Sequence, residues 1–312
     1  MKVIRELLKY KIWMFCILFS VYMYIFSPAF GTWNNFYGIL QSMFPYGMVA
    51  LGLMFGLVTG INNLTIGSLA CLSAVVFGLV SQSYGCIAGF LAGVAAAAVI
   101  GAASGVMSTY LKMDGWLVTI ALMIGVRGFA CALLAGSTVR ITDSFFLKVA
   151  STKFGPVPLL FLVFLVTVVL VDFILKYTHY GRSMYAVGGN AEVAASCGIN
   201  INKVRVIAVI VSSVLAGIGG IFVTARLGSA NGDLGADAIM ACLPMVIIGG
   251  AAFTGGKGDA KGTLSGCLVM NLITTYMNLF EVYIDAQKVI QGAILLMVII
   301  ADKYFENKEI KV

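Results

Sequence analysis

Leu159-Leu160-Phe161-Leu162-Val163-Phe164-Leu165-Val166-Thr167-Val168-Val169-Leu170-Val171 places twelve Leu, Val or Phe residues in thirteen positions and contains no charge. At about −0.3 to −0.6 kcal/mol each, these residues contribute roughly −4 to −7 kcal/mol to insertion into a bilayer. Taken over 157–175, the run approaches the roughly 20 residues that a helix needs to cross the hydrocarbon core. Similar stretches recur at 12–28, 39–58, 66–83, 86–109, 116–135, 206–224, 240–254, 263–280 and 287–301. A chain of 312 residues would ordinarily form about two soluble domains, but 61% of this one is hydrophobic, 11% is charged and its mean hydropathy is +1.01. Burying so apolar a chain in water would require nearly every residue inside, which excludes a soluble globular protein. The sequence predicts an all-α polytopic membrane protein: one transmembrane domain over 1–312 with about ten transmembrane helices. The third and eighth stretches are weaker and read either as spans or as re-entrant segments. The first stretch is aromatic and leads straight into further spans, so it reads as an uncleaved helix rather than a signal peptide.

The net charge of +7 has to be read by position. No basic run with interleaved aromatics is present, so nucleic acid is excluded as a partner, and membrane lipid is the expected surroundings. If ten spans start from the cytoplasm, fourteen Lys and Arg residues fall on the starting side, among them Lys2, Arg5, Lys9, Lys112, Lys176, Arg205 and Lys311. Five fall opposite: Arg140, Lys148, Lys153, Arg226 and Lys288. The positive-inside rule then puts both termini in the cytoplasm. Arg127 falls inside a span, at a cost of about 2.5–3.5 kcal/mol if central, and is expected to face the bundle or snorkel. Asp172 and Lys176 have the spacing of an i,i+4 ion pair. The seven cysteines lie at least 15 residues apart, so no CxxC pair exists for zinc or redox chemistry, and small-residue packing is the expected role. His179 reads as a solvated loop residue. No metal site and no catalytic residue is expected, because an intramembrane enzyme would need a nucleophile with a base or a metal cluster.

Gly89, Gly93, Ala97, Gly101 and Gly105 recur every four residues. That spacing draws one small-residue stripe along a helix face and predicts close approach of a neighbouring backbone. Thr59-Gly60 with Gly67-Ser68-Leu69 and Thr254-Gly255 with Gly262-Thr263-Leu264 share one frame. Such matched, glycine-interrupted pairs occur in transporters built from two structural halves; chance recurrence explains so short a frame as well. If this is an internal repeat, the two copies run in the same direction through the membrane.

The longest polar segment, 176–205, contains Asn190-Ala191-Glu192-Val193-Ala194-Ala195-Ser196-Cys197-Gly198. Asn190 is a good N-cap, Glu192 sits where the helix dipole favours an anion, and Gly198 suits the left-handed position after a helix end. The expected product is a short stiff helix on the cytoplasmic side. On local physics it reads either as a plain connector or as a strut that transmits force to a docked partner.

Gly181-Arg182-Ser183-Met184-Tyr185-Ala186-Val187-Gly188-Gly189-Asn190, followed by Glu192, Ala194 and Gly198-Ile199, resembles the cytoplasmic loop of permease subunits of ribose-type ABC sugar importers, the binding-protein-dependent inner membrane components. The resemblance continues through Arg226-Leu227-Gly228-Ser229-Ala230, Ile248-Gly249-Gly250, Gly255-Gly256-Lys257-Gly258 and Gly262-Thr263, and covers most of residues 45–302. It implies that 176–205 is a coupling loop, with Asn190, Glu192, Ala194 and Gly198 in the region that docks into the ATPase subunit and Gly181, Arg182 and Tyr185 positioning its approach. Where the family usually reads Asp, this chain has Asn63, so a role that needs negative charge there is lost while hydrogen bonding by the amide is retained.

The resemblance implies import by alternating access, in a bacterial plasma membrane, of a small polar solute, most simply a monosaccharide. The implied partners are a separate ABC ATPase subunit that uses ATP and Mg, an extracytoplasmic solute-binding protein, and a second permease copy or a sister permease. The glycine-rich stretch 255–263 lacks Gly-Lys-Ser/Thr in order, so this chain has no phosphate loop and no cofactor of its own is expected. Asn62, Asn63, Thr65, Asn271, Thr274, Thr275 and Asn278 are the candidate pathway residues. An ion-coupled secondary transporter is the alternative, as is an ABC permease for a nucleoside, autoinducer or amino acid; the first needs an intramembrane ionisable relay, and no span has a carboxylate at its middle.

Overall fold

The computed structural model describes residues 11–309 apart from 27, 142 and 156. Lys2, Arg5, Lys9 and Lys311, four of the charges that set the expected orientation, lie outside the described residues. The decisive stretch is one helix, Leu159–Tyr177. Its Leu160, Phe164, Val168, Val171 and Leu175 are buried, whereas Val163, Val166, Val169, Leu170 and Phe173 are exposed. A helix apolar on both faces with one of them uncovered is stable where the outer solvent is lipid.

The other long helices follow the apolar runs. In chain order they are α1 (Lys11–Phe26), α2 (Trp33–Val58), α3 (Ile66–Tyr84), α4 (Cys86–Thr109) and α5 (Gly115–Leu134). The short α6 (Ser144–Ser151) precedes the decisive helix, α7. After it come α8 (His179–Gly189), α9 (Ala191–Ser196), α10 (Ile201–Leu227), α11 (Ala238–Ile248), α12 (Ala260–Leu279) and α13 (Ile284–Glu309). Among the described residues, α2, α3, α4, α5, α7 and α10 are long and apolar enough to cross a membrane. Among the described residues the regular structure is helical apart from two small antiparallel ladders, in which Val139-Arg140 pairs with Ser229-Ala230 and Lys153-Phe154 with Val157-Pro158.

The core centres on α2, with Phe44, Leu51, Met54 and Phe55 fully enclosed by α7, α10, α11 and α12. The small-residue stripe is a packing seam: all five of its members are buried. A Cβ on Gly93 would meet the Ser73 carbonyl at 2.7 Å, and one on Gly101 would meet the Ser213 hydroxyl at 2.5 Å. The stripe therefore lets α4 lie against both α3 and α10 at backbone distance.

The third stretch forms a full helix of 19 residues. The eighth does not continue over 240–254. It is the 11-residue α11, about 16 Å long and roughly half of a bilayer core; it stops at Gly249-Gly250, where Gly250 turns left-handed (φ +89°). Before it, 228–237 folds back into the bundle, so that a Cβ on Gly67 would lie 2.5 Å from the Gly235 carbonyl. Helix α3 also begins inside, since Asn63 bonds to Ser212, eleven residues into α10 and about 17 Å from its start.

Arg127 lies near the middle of Gly115–Leu134 and is not left alone there: it pairs with Asp233 at 3.1 Å, both side chains being accessible. His179 is exposed as expected, but it opens helix α8 rather than lying in a loop. Of the cysteines, Cys16, Cys71, Cys242 and Cys267 are buried, whereas Cys131 and Cys197 are exposed.

Candidate functional site

At the end of the bundle where α10 begins, glycines bring three segments together. The Gly256 amide donates to the Val58 carbonyl at 3.0 Å, and a Cβ on Gly255 would meet the Gly60 Cα at 2.9 Å and the Gly188 carbonyl at 3.0 Å. The two stretches that share a frame in the sequence thus meet at Gly60 and Gly255, both in the left-handed region (φ +79° and +95°), with the end of α8 wedged beside them. Next to this junction Lys176 bridges Asp172 (2.7 Å) and Asp259 (3.0 Å), and Lys261 reaches Asp172 at 3.4 Å. The expected i,i+4 pair is therefore part of a four-charge cluster that ties α7 to the start of α12.

Helices α8 and α9 are mounted on that junction. Tyr185 donates its hydroxyl to the Gly258 carbonyl at 2.6 Å, and burial pushes its pKa up, which keeps it a neutral donor. Gly181 is buried against α7, and its amide donates to the Thr178 hydroxyl at 3.1 Å; the exposed Arg182 lies 3.2 Å from His179 Nδ1. Asn190 Oδ1 accepts from the amides of Glu192 and Val193 at 3.0 and 3.1 Å. At the other end of α9, Ile199 donates to Ala194 and Gly198 to Ala195 (3.1 and 2.9 Å), with Gly198 at φ +80°. This is a Schellman closure. Ala194 is buried, so α9 is anchored on one side while Glu192, the 58%-exposed Val193 and Cys197 face outward.

The seven pathway candidates separate into three places. Asn271, Thr274, Thr275 and Asn278 line a cavity of about 680 Å³ together with Ser42, Tyr46, Arg226, Asp237 and Lys288, at the end where α10 finishes. There Ser42 donates to Asn271 Oδ1 at 2.8 Å, Gln287 to Asn278 at 2.9 Å, and Lys288 pairs with Asp237 at 3.0 Å. Asn62 borders a different cavity, near the start of α10. Asn63 and Thr65 are fully buried and border neither.

Asn63 is a tie inside the bundle. Its Nδ2 donates to Ser212 at 3.1 Å and Ser213 at 3.4 Å, and its Oδ1 accepts from the Thr65 amide at 3.2 Å and from the Thr65 hydroxyl. Hydroxyls donate as readily as they accept, so a carboxylate could hold the same partners. Asn63→Ala is expected to destabilise the protein by about 1–3 kcal/mol, the cost of stranding buried polar groups, read as a lower melting temperature in detergent; an unchanged melting temperature would show that the tie contributes nothing.

Tyr46, Ser42, Asp237, Lys288 and the Asp259 and Lys261 members of the charge cluster were not visible as site residues in the sequence, because each is an isolated polar residue whose partners lie far along the chain. Helix α8 was missed for a different reason. Gly181, Gly188 and Gly189 lower its intrinsic propensity, and packing of Gly181 against α7 and of Gly188 against the Val58 carbonyl restores it.

Over residues 35–299 the sequence matches the family described as branched-chain amino acid transport system / permease component. It is 30% identical to the ribose import permease protein RbsC of Escherichia coli (strain K12), over 88% of each chain. It is 28% identical to the L-arabinose ABC transporter permease protein AraH of Azospirillum brasilense, over 94% of this chain and 87% of that one. Identity to the L-arabinose transport system permease protein AraH of Escherichia coli (strain K12) is 29%, over 90% and 86% of the two chains. No solved structure matches the chain.

Proposed function

This chain belongs to the transport-system permease family matched over residues 35–299, and from that premise we propose that it is the membrane-spanning subunit of an ATP-driven monosaccharide importer. It is a multi-pass membrane protein, with six helices long and apolar enough to cross a bilayer among the described residues, and two of its relatives are named for ribose import and for L-arabinose ABC transport. The full reading has ten segments in the membrane, with α11 entering only part of the way and both termini in the cytoplasm.

The observation that supports the reading best is the pairing of two opposite features on one chain. One end presents the doubly capped α9, with Glu192 and Val193 outward. The other opens a cavity of about 680 Å³, within the roughly 300–1,000 Å³ of small-molecule sites, lined by amides and hydroxyls together with the charged Arg226, Asp237 and Lys288. A sugar passing through such a cavity exchanges water for these groups at little net cost, because donors and acceptors are matched on both sides. A double-cassette ATPase docks on α9, a binding protein delivers the sugar to the cavity end, and a second permease copy or a sister permease completes the gate. Closure of the ATPase pushes α9, and the glycine junction at Gly60, Gly188 and Gly255 passes that displacement to α2 and α12.

Reconstitution into proteoliposomes with the ATPase and the binding protein tests this. Uptake of labelled ribose or arabinose is expected to require ATP and to persist when proton and sodium gradients are collapsed. Uptake without an ATPase partner would refute the importer reading. Asn271→Leu together with Thr275→Val should lower uptake about tenfold, the scale of one or two lost hydrogen bonds, with ATPase binding unchanged.

A further inference from the structure

A second cavity, of about 340 Å³, lies at the end of the bundle where α10 begins, between the 60–62 turn, the 113–116 turn into α5 and Arg205. Arg205 has no hydrogen bond and no ion pair among the described residues, and its Nε is buried; Asn62 Oδ1 is likewise buried without a partner. Arg205 as a whole is only partly buried, but a guanidinium whose Nε is shut away from water without a partner is unfavourable unless an anion shares its pocket. One carboxylate also borders the space, that of Asp114, and it points its Oδ1 to the Trp116 amide at 2.9 Å. Met113 and Trp116, which line the cavity, are exposed, Trp116 by 55%, as are their chain neighbours Leu111 and Leu117. An amphipathic ring among exposed apolar side chains at a helix start is the pattern of a membrane–water interface.

We propose that this cavity holds the headgroup of an aminophospholipid, its phosphate on Arg205 and its primary ammonium on Asp114, with the acyl chains along α5 below Trp116. The charges select the ligand. A guanidinium presents a fork of donors that suits phosphate oxygens, while the unpartnered Asn62 Oδ1 is an acceptor that suits an ammonium N–H. A purely anionic headgroup would satisfy Arg205 but leave its charge near Asp114. A choline headgroup has no N–H to offer the carboxylate. One cation and one anion in the same small cavity match a zwitterion that can donate.

The full-length protein, purified in detergent and stripped of lipid, is incubated with equal amounts of phosphatidylethanolamine, phosphatidylglycerol and phosphatidylcholine, and the retained lipid is counted by native mass spectrometry. Phosphatidylethanolamine is expected to be enriched over both others. Arg205→Gln should reduce its retention about tenfold, the scale of a lost charge-assisted bond. Asp114→Asn keeps the N-cap, since Asn caps as well as Asp, and should remove the preference over phosphatidylcholine. Equal retention of the three lipids by the unmodified protein, or undiminished phosphatidylethanolamine in Arg205→Gln, would overturn the proposal. Soluble phosphoethanolamine forms the last arm: its retention without the lipid would also overturn it, by assigning the same chemistry to a free metabolite. If Arg205→Gln does not fold, Asp114→Asn decides alone, with an unchanged preference counting against the site.

Discussion

Gly198→Val is expected to abolish ATP-driven uptake while leaving the chain inserted in the membrane. The backbone at Gly198 has φ +80°, and a Cβ there would meet nothing within 4 Å, so the barrier is conformational and not steric crowding from neighbours. A β-branched residue in the left-handed region costs roughly 1–2 kcal/mol. Helix α9 has only six residues, and isolated helices of that length are not stable in water. It stands because Asn190 closes one end and the Gly198–Ile199 turn closes the other. Losing the second closure frays the segment that carries Glu192 and Val193, and a frayed segment cannot transmit a push. The spans are untouched, so insertion and yield should be normal. Gly198→Asn is the control: asparagine is the residue with a side chain that most often takes the left-handed position after a helix end and should retain most of the uptake. Glu192→Lys tests the outward face, because a cation replaces an anion at the helix N-terminus and reverses its favourable interaction with the dipole. Either variant co-purifying with the ATPase subunit at undiminished yield would argue strongly against docking through α9.

Gly101→Leu is expected to lower the melting temperature of the detergent-solubilised protein more than any substitution on the lipid face. A first carbon at this position would already lie 2.5 Å from Ser213 Oγ, 2.6 Å from Ser213 Cβ and 3.3 Å from the Ile210 Cα. The last of these is backbone and cannot rotate away. Helix α4 would have to lift off α10, breaking the seam along Gly93, Ala97 and Gly105 as well, and overpacking of this kind costs about 1–3 kcal/mol or more. Gly125→Leu gives the comparison, since a Cβ on Gly125 of α5 meets nothing within 4 Å and leucine is the better helix former. Tryptophan fluorescence during heating should show a clear downward shift for Gly101→Leu and none for Gly125→Leu. Equal melting temperatures would mean that the seam is loose in the membrane-like environment.

Much of the fold was legible locally. The run at Leu159–Val171 declared a lipid-facing helix, and the four-residue recurrence from Gly89 to Gly105 identified which face of α4 must be buried. The cap residues Asn190 and Gly198 delimited α9 to within a residue. Each of these is a short-range property: hydrophobic period, backbone conformation and capping are all fixed by residues within about one or two helical turns. Of the candidate site, the sequence singled out Asn271, Thr274, Thr275 and Asn278, which do line one cavity. It grouped Asn62, Asn63 and Thr65 with them, which the structure separates.

What only the tertiary structure decided depends on partners far away along the chain. Asn63 finds Ser212 and Ser213 some 150 residues on, and Asp172 meets Lys261 across two helices. The segment 228–237 returns into the bundle because Gly67 and Gly235 permit two backbones to touch. No periodicity records such pairings. In a bilayer apolar burial distinguishes little between one helix arrangement and another, since lipid is as apolar as a neighbouring helix; the arrangement is set by small-residue contact and buried polar pairing, both of which exist only once the helices have met.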